Sequence, residues 1–329
     1  MRKIDAHAHW AGDTPEALGL LEELEIKILN IGMGRSDGGG RWGKHGERYG
    51  GLARKYSEFY AWCTGIDEPN FDDPDRYVEE TIQLLGKDFK SGAIACKIPK
   101  SFGMSIKDKS GNYFMVDDDL LEPIFSFIEE QAKPLIMHIG EPMEAFQPLD
   151  ENGVFYNYYS AHQNYHFYGK EGVPTHRRLM DSRDHVVERH PDLTVVGAHY
   201  GSMEYDVDEV ARRFDRYPNF VVDSSGLARA DSLSRQDREK VYNFIVKYQD
   251  RIMFGMDRQT DGRKLSELPT KEQKVILNTY REHLLVGMEF YQSNGKFMLR
   301  GKERQGLGLP QDVMEKIMRL NAKNWFPGM

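Results

Sequence analysis

Cysteine is nearly absent from this chain: two in 329 residues, Cys63 and Cys96, with no CxxC spacing and no His, Lys or Arg before either at an activating distance. A disulfide-stapled fold and a thiolate nucleophile are therefore disfavoured, and both residues read as reduced, buried thiols. Long apolar runs are missing as well. No stretch nears the ~18–20 residues a membrane span needs, and Met1-Arg2-Lys3-Ile4-Asp5 runs straight into His7 and His9 without the apolar core of a secretory signal. These absences predict a cytoplasmic protein. Nor is there a basic excess: 44 Lys plus Arg against 52 Asp plus Glu leave a formal charge of −8. That balance argues against a broad nucleic-acid or anionic-membrane surface and leaves a small molecule as the expected partner. Tandem repeats, low-complexity tracts and heptad arrays are absent too, which excludes a solenoid or a coiled coil.

What is present is a rhythm. Short apolar runs alternate with longer amphipathic stretches throughout, the pattern of repeated βα units. Strands are predicted at Lys3 to His9, Lys27 to Gly34, Phe59 to Asp67, Ala93 to Pro99, Lys133 to Gly140, Leu193 to Gly201, Asn219 to Gly226 and Arg251 to Asp257. Between them, Thr14 to Leu24 reads as a helix capped by Thr14 with Pro15 in its first turn. Asp75 to Leu85, Arg177 to Glu188 and Asp206 to Arg216 have the same character. Gaps this long suit the crossovers that parallel strands require. Near-continuous apolar runs such as Pro134 to Ile139 suit a sheet covered on both faces. With polar residues gathered at the strand C-termini, the expectation is α/β, a (β/α)8 TIM barrel with long βα loops, residues 1–329 forming one domain.

Three connections exceed simple links. Residues 34–51 hold eight glycines with Arg35, Arg41, Trp42, Lys44, His45 and Arg48. Residues 100–119 end in three aspartates that can open a helix. Residues 141–176 carry eight aromatic residues, Tyr159 among them, with His162 and His166 between. Aromatic density of that order argues against disorder.

The chemistry collects at the strand ends. His7 and His9 lie two positions apart, a spacing that lets both imidazoles share one face of a strand and reach one ion. His138, His199 and Asp257 each close an apolar run at the end where a barrel builds its site. Any one of them could be a hydrogen-bonded core residue or a half-exposed side chain; a common cause for the whole set is a metal centre.

On these residues, and on the C-terminal segment ending Asn321-Ala322-Lys323-Asn324-Trp325-Phe326, the whole chain resembles the amidohydrolase superfamily. Within it, the resemblance is to the amidohydrolase-2 branch, which includes aminocarboxymuconate semialdehyde decarboxylase-like enzymes. The resemblance implies one divalent ion, zinc first and manganese, iron or cobalt as substitutes, held by His7, His9, His138 and Asp257. It further implies Asp257 as the acid/base for a water whose pKa falls to about 7, and His199 beside that water as an acid/base group or extra ligand. Lys97 stands where two-metal relatives carry a carboxylated lysine or a glutamate, so it is a candidate for a second ion or for substrate.

Two chemistries fit that first shell. One is hydrolysis of an ester, lactone or amide of a small anionic or sugar-like substrate. The other is nonoxidative decarboxylation of an aromatic or enoic acid. An inactive ligand-binding scaffold is the reading from another class, and the intact ligand set argues against it. The basic residues Arg35 and Arg41, with Trp42, would suit an anionic group, unless the Gly-rich segment is merely solvated. Tyr159 and His162 would suit a flat ring face, unless their loop packs a subdomain or a homodimer contact. Glu141, next to Gly140, either touches the site or shapes the turn at Pro142.

Overall fold

The computed structural model describes residues 2–32, 42–260 and 263–329. Eight parallel strands stand in chain order: β1 (Lys3–Ala8), β2 (Ile26–Ile31), β3 (Tyr60–Gly65), β4 (Cys96–Ile98), β5 (Leu135–Met137), β6 (Val195–Gly197), β7 (Phe220–Asp223) and β8 (Ile252–Met253). The last returns to the first, since Ala6 N donates to Phe254 O at 2.9 Å and Asp257 N to His7 O at 2.7 Å. A parallel bridge between His9 and Gln259 continues the seam. Helices such as Pro15–Glu23, Pro74–Lys90, His176–Arg189 and Val207–Arg216 run between the strands, and the fold is a (β/α)8 TIM barrel. The paired stretches are shorter than the apolar runs predict. Beyond them the chain leaves the ladder, as at Asp257, which has a φ of 51°.

Strand alternation decides which residues fill the barrel. Ile4, Ala6, Leu29, Ile31, Ala61, Cys63, Ala95, Ile136, Val196, Val221 and Met253 pack together inside it, while their neighbours in sequence face the surrounding helices. Both cysteines are buried and free, and burial pushes the Cys63 thiol up to about 12. The C-terminal segment plugs the lower end: Ala322 and Phe326 join the interior cluster. Asn321 Nδ2 donates to Gln249 O at 2.6 Å and Ile252 O at 2.7 Å.

One expected loop is largely helical. Arg35 and Arg41 lie outside the described residues, but a helix spans Trp42–Lys55. Its glycines read as loop formers in sequence, yet they are contact residues. A Cβ on Gly50 would come within 3.1 Å of the Trp62 ring, and one on Gly46 within 3.3 Å. The aromatic connection also folds back on the barrel, with Val154, Phe155, Tyr159 and Phe167 buried and Phe146 stacked on Phe167 at 5.6 Å. Among the described residues, no helix is long and apolar enough to cross a membrane.

Candidate metal centre

The HxH pair reaches the barrel mouth by an irregularity that alternation alone does not supply. Ile4 and Ala6 face the interior. Asp5 faces outward, where its carboxylate accepts Met256 N at 2.9 Å and Tyr280 Oη at 3.0 Å. Strict alternation would send His7 outward with Asp5. Between Asp5↔Ile28 and Ala8↔Asn30, however, three steps along β1 match two along β2. That extra residue is a bulge, and it reverses the face of everything after it. Lys97, His138 and Asp223 need no such device, because each follows an interior residue (Ala95, Ile136, Val221) by two positions.

His7, His9 and Asp257 offer ligand atoms that lie within 4.8 Å of one another, and His7, His199 and Asp223 form a second such group. His7 Nε2 is 3.8 Å and His9 Nε2 3.3 Å from Asp257 Oδ1, with His199 Nε2 3.9 Å from Oδ2. His138 stands outside both groups, its ring 4.5 Å from that of His199.

The other ring nitrogen of His7, His9 and His199 is already committed. His7 Nδ1 meets Asp223 Oδ2 at 2.9 Å, His9 Nδ1 meets Ile31 O, and His199 Nδ1 meets Ser225 O at 3.1 Å. Carbonyl and carboxylate oxygens only accept, so each Nδ1 carries the proton and each Nε2 keeps a lone pair. Burial pushes the pKa of His7 down and that of His199 well down, so both are neutral imidazoles near neutral pH. Burial would raise Asp257, but the histidine rings that surround it hold it well below the usual carboxylate range. Burial would likewise raise Asp223, and His7, His199 and Ser225 outweigh it.

Three lone pairs thus face one carboxylate with no proton between them, an arrangement that wants a cation. Two further nitrogens strengthen the fit: His138 Nε2 and Lys97 Nζ are buried without a hydrogen-bond partner. Burial pushes His138 well down, leaving a neutral imidazole at the barrel mouth, and lowers Lys97. Imidazoles plus one carboxylate suit a divalent transition metal, and oxygens on the far ring nitrogens are the usual support for such ligands.

The remaining predicted residues scatter. Glu141 is buried beside the centre, accepting from Tyr159 Oη at 3.1 Å and from Lys100 Nζ. His162 is exposed and stacks on Tyr158 at 4.7 Å, away from the ligand group. Trp42 opens its helix. Three residues that now matter escaped sequence reading: Asp223, Glu204 and Arg229. Asp223 closes the apolar run Phe220-Val221-Val222 and carried the same signal as Asp257. The other two lie in connections after β6 and β7, where nothing in the sequence marks them.

Non-glycine residues with positive φ gather at this rim, with His199 at 57°, Tyr200 at 55°, Ser202 at 60° and Asp257 at 51°. Such conformations cost on the order of 1–3 kcal/mol each and concentrate at functional sites.

Comparison with known proteins agrees with the fold. An uncharacterised TIM-barrel protein from Bordetella bronchiseptica superposes with a TM-score of 0.56 at 15% identity, over 100% of this chain and 99% of that one. A 2,6-dihydroxybenzoate decarboxylase from Rhizobium gives 0.52 at 15% identity, with 99% of each chain covered. A Pseudomonas putida protein assigned as a 2-pyrone-4,6-dicarboxylic acid hydrolase gives 0.50 at 14%, over 99% of this chain and 98% of that one. No curated protein matches the chain. The amidohydrolase family model matches residues 69–328, and the chain belongs to the amidohydrolase family of enzymes.

Proposed function

We propose that the chain, acting as one domain, hydrolyses an ester, lactone or amide of a small hydroxylated or anionic substrate. One divalent ion, zinc first, would be held by His7, His9, His138 and Asp257. The observation that carries this reading is the set of tautomer-locked Nε2 lone pairs around Asp257. When bound, the ion supplies Lewis-acid polarisation of a carbonyl and acidifies a water.

The chain's own residues do the rest. Asp223 and Ile31 O keep His7 and His9 turned inward. Asp257, whose side chain is 34% exposed against 1% for His7, is open to solvent and so to an arriving substrate. Its carboxylate takes a proton from the attacking water and delivers it to the leaving group. His199 is held by Ser225 O and by Ser225 Oγ at 2.8 Å, with Nε2 free to accept, so it serves as a second base. Lys97 Nζ, buried and unpartnered, is a donor for charge developing on the substrate oxygen.

Lys97 also favours the second reading, decarboxylation, because a buried amine beside the centre would hold a substrate carboxylate once protonated. Fold likeness does not choose between the two, since it extends to the decarboxylase and the assigned hydrolase alike. A metal-loaded screen of esters, lactones, amides and aromatic or enoic acids, read in parallel for proton and CO2 release, separates them. Acid release without CO2 supports hydrolysis; CO2 from the acids overturns it. In His199→Asn the turnover of the substrate so found should fall by about 10²- to 10⁴-fold with metal retained.

A further inference from the structure

Beside the metal centre, between the ends of β5, β6 and β7, lies a polar cluster that ligand binding does not use. At its middle is Glu204, 1% exposed, both of whose carboxylate oxygens lack a hydrogen-bond partner. Its nearest cation is Arg229, whose Nε stands 3.6 Å away, too far for a hydrogen bond, and is itself buried without a partner. The Arg229 guanidinium lies 5.0 Å above the Phe155 ring, which adjoins Tyr159 at 6.0 Å. Tyr159 leads in turn to Glu141, three residues past His138. The Glu204 backbone is tied down, because Gln236 Nε2 donates to its carbonyl at 2.8 Å.

These groups share one space with the centre. Arg229 is among the charges that lower both His138 and His199. Burial pushes Glu204 up, Arg229 and its own backbone amide oppose that, and Glu141 and Glu144 add to it.

A buried carboxylate left without donors costs about 1–3 kcal/mol or more, and such a group in a native protein calls for a function. Whatever satisfies it must bring donors, two of them and close together, to reach both oxygens. It must also accept from Arg229 Nε, and it must carry no negative charge there, since Glu141 and Glu144 lie near. Adjacent hydroxyls meet all three conditions, because each O–H donates to the carboxylate while its oxygen accepts. The Phe155 and Tyr159 rings supply the apolar wall that the C–H face of a polyol packs against. An arene acid without adjacent hydroxyls, such as benzoate, offers no such pair of donors.

We propose that Glu204 and Arg229 form the recognition end of the substrate pocket and take two adjacent hydroxyls of a polyhydroxylated lactone or ester. This rests on the hydrolase reading above and narrows its substrate class. Both residues are specificity determinants; neither holds the ion.

The test is calorimetric titration of the metal-loaded protein with a panel of aldonic acids, the open-chain products of sugar lactones, and with benzoate as control. Wild type should bind at least one aldonate. Glu204→Ala should weaken it by about 10- to 100-fold and leave benzoate affinity and metal content unchanged. Glu204→Gln keeps one accepting oxygen and should fall between, while its ligand-free melting temperature should equal or exceed wild type because a buried carboxylate without hydrogen-bond donors is gone. A purely structural Glu204 would instead lower melting in both variants without selectivity between the ligands. Should the alanine variant fail to fold, the glutamine variant carries the test. Aldonate affinity that ignores Glu204, or no aldonate bound by wild type, overturns the inference alone. CO2 release from an arene acid overturns the hydrolase reading with it.

Discussion

The two ends of the barrel treat their polar groups in opposite ways. At the lower end donors are spent several times over. Asn219 Nδ2 donates to Val187, His190 and Leu193 carbonyls at 2.8–3.1 Å, and Arg251 Nη1 reaches Phe214 and Tyr217 carbonyls at 2.9 and 2.8 Å. Trp325 Nε1 donates to Asp250 O at 2.7 Å, although Asn321 Oδ1, Arg2 Nη1 and His190 Nε2 are left without a hydrogen-bond partner there. At the upper end Lys97 Nζ, His138 Nε2, Arg229 Nε and both Glu204 oxygens are buried with nothing to bond. Saturated networks lower the energy of the fold itself; open valences in a close-packed interior raise it unless a ligand fills them. The contrast therefore marks the lower end as the stabilising one and the upper end as the working one.

The largest effect should come from breaking the upper end. His7→Ala is expected to abolish binding of about one equivalent of divalent metal, and turnover with it, while the protein still folds. Elemental analysis that matched wild type would remove His7 from the centre.

A smaller effect separates structural from functional histidines at the same end. His176 is buried, its Nε2 donating to Ser202 O at 2.9 Å, and burial pushes it down to about 4. Its folded pKa lies below the unfolded value of 6.5, so between those pH values the unfolded chain binds a proton that the folded one refuses. Stability should therefore fall as pH drops through that window and level off below it, by up to about 3 kcal/mol at 1.36 kcal/mol per unit. Urea melts of wild type and His176→Gln against pH check this, and a slope that survives the substitution would assign it to other groups.

The smallest effect tests the lower end. Asn219→Ala strands three carbonyls and should cost about 2 kcal/mol of stability with metal content and turnover per folded molecule unchanged. Loss of metal in this variant would show that the two ends are coupled.

Much of this was legible in residue order. Alternating runs and crossovers specify the barrel, and polar residues closing apolar runs locate His138, His199 and Asp257. The same signal stood at Asp223 and passed unused, because a carboxylate that orients an imidazole looks no different in sequence from one that caps a turn. The helix Trp42–Lys55 was hidden by its own glycines, which serve the close approach of Trp62.

Residue order by itself determined the period of the pattern, hence the fold class, and the set of His and Asp side chains at one end of it, since both depend only on spacing along the chain. Tertiary structure decided the rest. The bulge that turns His7 and His9 inward is a register mismatch between β1 and β2, a property of two strands together. The tautomers depend on which oxygen packs behind each ring. The pairing of Glu204 with Arg229 joins residues twenty-five positions apart because β6 and β7 lie side by side, and the lack of a hydrogen-bond partner at Arg229 Nε and the Glu204 oxygens is a fact about packed space that neither residue carries alone.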